Sequence, residues 1–215
     1  MKIGVLGTGM VGNAIGTKLV ELGHEVKMGS RTADNNVAAE WVKLNGPNAT
    51  QGNFADCASF GEIIFNCTAG VSSIEALKSA GSENLKGKVL VDVSNPLDFS
   101  KGMPPSLTIC NTDSLGEQIQ RAFPDTKVVK TLNTLNCAVQ VNPGLVPGEH
   151  DVFVSGNDAD AKANVRDILE NWFGWKSVID LGDITTARGT EMWLPLWVNL
   201  MSALDTVNFN LKIAK

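Results

Sequence analysis

The sequence is poor in the residues that staple or metallate small proteins. Its 215 residues include four cysteines and two histidines. Cys57, Cys67, Cys110 and Cys137 form no Cys-x-x-Cys pair and have no histidine cluster beside them, so a zinc centre, or any other metal site, is not expected. Cys67 and Cys137 sit in or beside apolar runs and read as buried, reduced thiols, as suits a cytoplasmic protein. No apolar run approaches the roughly 20 residues of a membrane-spanning helix. The opening MKIGVLGTGM already reads as a strand and turn, which leaves no stretch for a cleaved leader. A basic excess is lacking too: 18 Lys and Arg stand against 23 Asp and Glu, for a net charge of −5. A nucleic-acid partner would require a basic face. A local anion site is still possible, because one arginine and a helix N-terminus can hold a phosphate. No Ser–His–Asp set is evident. His24 and His150 fall in loops, where they read as solvated rather than catalytic.

Apolar strands and amphipathic helices alternate through most of the chain. Strands are expected at 2–6, 25–29, 49–53, 62–67, 88–93 and 127–131, with helices at 11–22, 35–44, 72–79 and 115–123 between them. This alternation implies an α/β fold, a Rossmann-type doubly wound and mostly parallel sheet with helices on both faces. Two prolines and two glycines make 137–149 a loop. A strand at 151–155, a helix at 158–172 and a strand at 177–181 follow. From Thr186 onward, Trp193, Leu196, Trp197, Leu200 and Leu204 recur at helical spacing. The expected organisation is a dinucleotide-binding domain over 1–183 and a short C-terminal helical segment over 184–215.

The segment Gly7-Thr8-Gly9-Met10-Val11-Gly12 carries the chemistry. A lone GxGxxG is a weak signal, but here it follows a strand and opens a helix, the context the motif requires. Gly7 permits the tight turn, Gly9 lets the backbone approach a pyrophosphate, and Gly12 lets the helix pack on the strand. The end of the second strand then selects the dinucleotide. NAD binders place Asp or Glu there, to accept from the ribose 2′-hydroxyl. Here it reads Ser30-Arg31-Thr32, with Arg31 nineteen residues past Gly12. A guanidinium makes charge-assisted bonds to a 2′-phosphate, and Ser30 adds a hydroxyl. NADP(H) is therefore the expected cofactor. In an open parallel sheet ligands sit outside the carboxyl ends of the strands. Those ends offer Thr68 and Ala69 after the fourth strand, Asn95, Pro96 and Leu97 after the fifth, and Asn133 and Thr134 after the sixth. None of them is an acid or base, so no catalytic residue is assigned.

Taken together, MKIGVLGTGMVG, the SRT after the second strand, the NP after the fifth, VVKTLNTLN and DLGDITTARGTEMWLPLW resemble the NADP oxidoreductases that use coenzyme F420, a deazaflavin. The resemblance covers nearly the whole chain. The N-terminal unit also resembles the NADPH-binding part of membrane ferric reductases, whereas the run with Arg188, Glu191, Pro195 and Leu196 looks like the soluble branch. The resemblance implies reversible hydride transfer between NADP(H) and a deazaflavin or flavin-like acceptor. It places Gly7, Thr8, Gly9, Met10, Val11, Ser30 and Arg31 on NADP, and Asn95, Pro96, Leu97, Asn133 and Thr134 around the nicotinamide. Two alternatives stand beside it. One is an NADPH reductase of the imine or hydroxy-acid type, which would want a proton donor and a larger helical domain. The other is a non-enzymatic NADPH-sensing protein. The C-terminal segment, apolar nearly all round, is expected to need cover on more than one side, as in a homodimer.

Cofactor preference follows from Arg31. One charge-assisted hydrogen bond contributes about 1.5–3 kcal/mol, so NADPH should bind about tenfold to a hundredfold more tightly than NADH. Dissociation constants for wild type and Arg31→Ala check this. The variant should lose the preference, and equal affinities in wild type would refute the assignment.

Overall fold

The structure, a computed structural model, describes residues 1–214. Strand β1 (Lys2–Leu6) leads through α1 (Met10–Glu21) into β2 (Glu25–Ser30). Then come α2 (Asn36–Asn45), β3 (Ala49–Asn53), α3 (Phe54–Phe60), β4 (Ile63–Asn66), α4 (Gly70–Ala80), α5 (Ser82–Leu85) and β5 (Val89–Asp92). A small hairpin, β6 (Leu97–Asp98) and β7 (Ser106–Leu107), precedes α6 (Leu115–Ala122) and β8 (Lys127–Thr131). The chain continues through α7 (Cys137–Val141), β9 (Val152–Gly156), α8 (Ala159–Asp167), β10 (Val178–Asp180), α9 (Ala187–Met192) and α10 (Leu194–Leu204).

Eight strands form one sheet in the order β10-β9-β8-β5-β4-β1-β2-β3. The six from β8 to β3 are mutually parallel. Their order reverses between β1 and β4, the topological switch point of a doubly wound sheet, where ligands bind. Side-chain alternation along each strand supplies two apolar faces. Ile3 and Val5 of β1, Ile63 and Phe65 of β4, and Val91 of β5 enter one core with α1 and α2. Leu6, Ile64, Leu90 and Val128 enter the other with α4 and α6. Helices cover both faces, so the central strands read as continuous apolar runs.

The six expected strands through 127–131 are all present, with ends shifted by at most one residue. Four expectations need correction. The stretch 137–149 is not wholly loop. Asn136 caps α7 by accepting from the Ala138 amide, and a single 3-10 turn spans Pro143–Leu145. Helix α3 was not anticipated, although Asn53 and Asp56 form a capping box around its start. Strand β9 runs antiparallel to β8: the connection between them, which holds α7 and the 3-10 turn, brings the chain back beside β8 in the opposite direction instead of crossing over the sheet. The expected C-terminal helix is two helices, and α10 ends where Asp205 adopts a left-handed conformation with φ 48°. Among the described residues no helix is long and apolar enough to cross a membrane.

The histidines also differ from expectation. His24 packs against Trp172, ring centroids 4.4 Å apart and planes tilted by 32°. Burial, and then the N-terminal ammonium, lower its pKa. His150 is buried. Its Nε2 lies 3.0 Å from the Pro143 carbonyl and its Nδ1 2.9 Å from the Asn210 amide nitrogen. Asn210 belongs to the C-terminal tail, which folds back over residues 150 and 151.

Beneath the strand ends lies a buried ion triad. Lys130 in β8 donates to Asp92 in β5 at 2.7 Å and to the Ser94 carbonyl at 2.6 Å, and it pairs with Glu191 of α9 at 2.8 Å. All three side chains are about 1% exposed or less. Burial pulls the Lys130 pKa down, but the Asp92 and Glu191 carboxylates outweigh it and hold the ammonium above its ordinary value. Glu191 also accepts from the amides of Leu115 and Gly116 at the start of α6, at 2.7 and 3.0 Å. One carboxylate thereby ties the C-terminal helices to the sheet. Lys130→Met would leave two carboxylates buried without their cation, a loss of about 3–5 kcal/mol. Urea unfolding should show it, and a loss under about 1 kcal/mol would mean that water reaches the carboxylates.

Candidate dinucleotide groove

A groove crosses the carboxyl ends of the parallel strands. Its outer part, about 790 Å³, runs from the glycine turn past Ser30, Arg31 and Asn35 to Ser72 and Glu75 of α4. Its inner part, about 580 Å³, lies between Met10, Val71, Asn95, Leu97 and Phe99. The two share Gly9, Cys67, Thr68, Ala69 and Val71, so they are one continuous groove.

Each motif glycine meets a distinct constraint. Gly7 has φ 113° and a Cβ there would stand 2.7 Å from the Cys67 carbonyl oxygen. A Cβ on Gly12 would stand 2.0 Å from the Gly7 oxygen, where only a glycine lets α1 sit on the turn. Gly9 differs: nothing lies within 4 Å of its Cβ position, and its side opens to the groove. Helix α1 begins there without a side-chain cap, leaving its first amides for an anion. The open space and the uncapped amides together fit a pyrophosphate.

Arg31 is exposed at the outer end and takes part in no ion pair among the described residues. The Ser30 hydroxyl donates to the Thr32 carbonyl, so it is held in the turn. Thr32 and Asn35, unmarked in the sequence, also line this end.

The inner wall is built differently from expectation. Asn95 and Leu97 line it, but Asn133 and Thr134 are buried behind it. The Asn95 amide donates to the Asn133 carbonyl at 2.8 Å, and the Asn133 amide donates to Asn95 Oδ1 at 3.0 Å. This pair stitches the ends of β5 and β8 together. Pro96 accepts from the Thr108 amide and hydroxyl, which holds the β6–β7 hairpin against the site. The rim is apolar: Met10 is 82% exposed, Val71 63% and Phe99 55%. Gly70 starts α4, and a Cβ there would stand 1.9 Å from the Asn95 carbonyl oxygen.

The strand ends are not free of ionisable groups, contrary to the sequence reading. Asp92 and Lys130 lie one layer below the groove, and Glu191 reaches them from the C-terminal segment. A charge inside an otherwise apolar strand, as in VLVDV and KVVKT, was the available signal. Of the cysteines, Cys57 is buried, and burial pushes its thiol up to about 12; Cys67 and Cys137, expected to be buried, are half-buried, and Cys110 is exposed. Among the described residues no group of three or more His, Cys, Asp or Glu could hold a metal.

Comparisons with known proteins bear on this groove. Residues 2–96 match the family profile described as NADP oxidoreductase coenzyme F420-dependent. The chain is similar to a solved structure from Arthrobacter sp. FB24 provisionally named an F420-dependent NADP-reductase, with 55% identity, a TM-score of 0.94 and 100% coverage of both chains. It is 29% identical to the F420-dependent NADP reductase of Methanothermobacter marburgensis over 93% of this chain and 92% of that one. It is also 29% identical to the metalloreductase STEAP3 of Rattus norvegicus over 91% of this chain, but spans only 38% of that relative.

The glycine geometry separates binding from folding. Gly9→Ala should lower Tm by no more than about 2–4 °C, the scale of a weakened helix cap. The same change should raise the NADPH dissociation constant about tenfold or more, because a methyl group would occupy the approach to the pyrophosphate. Gly12→Ala should damage stability first. Calorimetry and binding titrations distinguish the two, and a Gly9→Ala protein with native affinity would refute the placement.

Proposed function

The chain belongs to the coenzyme F420-dependent NADP oxidoreductase family and is an NADP-dependent oxidoreductase; we propose that it passes a hydride between NADP(H) and a deazaflavin such as coenzyme F420, or a flavin-like ring of similar shape. Arg31 holds the adenosine 2′-phosphate, the α1 amides and Gly9 take the pyrophosphate, and Asn95 and Leu97 flank the nicotinamide. When bound, the dinucleotide supplies or accepts the hydride at its nicotinamide ring.

The observation that carries this reading is the chemistry of the inner cleft. Two titratable side chains line it among the described residues, Cys67 and Asp98. Burial, and then the Asp92 charge, push the Cys67 thiol up. Hydrogen bonds from the Ser100 amide and hydroxyl hold Asp98 below the usual carboxylate range. At neutral pH the first keeps its proton and the second has none to give. Carbonyl or imine reduction wants a proton donor in reach, whereas ring-to-ring hydride transfer needs proximity and alignment. The apolar rim of Met10, Val71 and Phe99 suits a planar second ring. The C-terminal segment closes the acceptor side and presents Leu196, Leu204 and Val207, each at least one-third exposed, to a second copy in a homodimer.

An acceptor screen tests the proposal. NADPH oxidation should proceed with coenzyme F420, and deuterium from C4-labelled NADPH should be retained in the reduced deazaflavin. Leu97→Trp should cut turnover by about a hundredfold through displacement of the stacked rings. Tight NADPH binding with no turnover on deazaflavin, flavin or quinone would overturn the reading in favour of a sensor.

A further inference from the structure

Behind the groove, polar side chains form one chain of hydrogen bonds from the C-terminal segment to the ligand space. It starts at the ion triad, in which Lys130 has its three donors committed to Asp92, Glu191 and the Ser94 carbonyl. Asp92, fully buried, accepts on its other oxygen from the Asn66 amide at 2.8 Å, from the Ser94 hydroxyl at 2.6 Å and from the Ser94 amide at 3.2 Å. Asn66, also fully buried, turns its oxygen toward Thr68 and accepts there from the Thr68 hydroxyl at 2.7 Å and amide at 3.4 Å. Ser73 lies 2.8 Å from the Thr68 hydroxyl and 3.2 Å from the Asn66 nitrogen. Thr68 lines both parts of the groove.

Donor accounting gives this chain a direction. An ionised carboxylate only accepts, so Asn66 must face Asp92 with its NH₂ and Thr68 with its oxygen. The Thr68 hydroxyl proton then points inward, to Asn66. Ser73 receives the second Asn66 proton and passes its own to Thr68, since its other acceptor, the Ala69 carbonyl, is 3.5 Å away. Thr68 is left with one lone pair and no proton for the groove. Resting on the reading of the groove as a dinucleotide site, we infer that Lys130 is a positioning residue: by pairing with the Asp92 carboxylate at the end of β5 it sets Thr68 as an acceptor-only contact for a sugar hydroxyl in the nicotinamide half of the cofactor. A ligand group at this point must donate. The sugar hydroxyls next to the nicotinamide can donate, whereas the phosphate oxygens further out cannot.

The test compares NADPH with 2′,5′-ADP, which carries the adenosine 2′-phosphate half and lacks the nicotinamide riboside. Titrations use wild type, Thr68→Val, Thr68→Ser and Lys130→Met. Thr68→Val should raise the NADPH dissociation constant about tenfold and leave that of 2′,5′-ADP within about twofold, the scale of one hydrogen bond confined to one half of the ligand. Thr68→Ser, which keeps the hydroxyl, should recover NADPH affinity. A cooperatively melting Lys130→Met protein should repeat the selective loss, which a merely structural role would not produce. If Lys130→Met does not fold, the Thr68 pair decides. Equal weakening of both ligands, or native NADPH affinity in Thr68→Val, would overturn the inference and leave the groove reading standing. Failure of 2′,5′-ADP to bind wild type would overturn the groove reading, and the inference with it.

Discussion

The constraint on which the site depends is one buried ammonium shared by two buried carboxylates. Desolvating an ion costs several kcal/mol, so a lysine survives in a sheet only when its partners are close and their remaining lone pairs are used. Lys130 meets that condition by drawing in β5 through Asp92 and the C-terminal helices through Glu191. Glu191 in turn occupies the first amides of α6. Elements far apart in sequence are thereby held in one arrangement. The Ser94 carbonyl, which begins the inner wall, is held by the same ammonium. An apolar residue at 130 could pack the sheet, but it would not orient Ser94 or Asn66.

The groove above this layer divides its work by polarity. Its outer end relies on backbone amides and one exposed guanidinium, groups suited to phosphate. Its inner end is apolar at the rim, and its two titratable groups are fixed in the states that neither give nor take a proton at neutral pH. The close approach of Gly70 to the Asn95 carbonyl and the hydrogen bonds between Asn95 and Asn133 make the inner wall rigid.

Much of this was legible along the chain. Gly7, Gly9 and Gly12 announce their roles because each acts through its own backbone and near neighbours, over a distance that a local motif spans. Arg31 is legible for a similar reason: it stands where β2 ends, and no carboxylate stands with it. The groove residues Asn95 and Leu97 follow from the rule that ligands gather at the carboxyl ends of parallel strands. Asn133 and Thr134 obey the same rule by position and still fall behind the wall, because two asparagines of adjacent strands satisfy each other more readily than they serve a ligand.

By itself the sequence determined the doubly wound parallel sheet, the glycine turn between β1 and α1 and the arginine that ends β2. These rest on strand periodicity and on contacts within about twenty residues, which the order of side chains encodes directly. Only the tertiary structure decided that β9 turns back antiparallel, that His150 is buried under the C-terminal tail, and that Asp92, Lys130 and Glu191 meet. For the histidine and the three charges the physical reason is the same. A charge inside an apolar run signals burial, but neither it nor a polar ring shows in the linear sequence which residue will pair with it. Residues 92, 130 and 191 find theirs only when the sheet brings β5 beside β8 and α9 folds back against α6 over their ends.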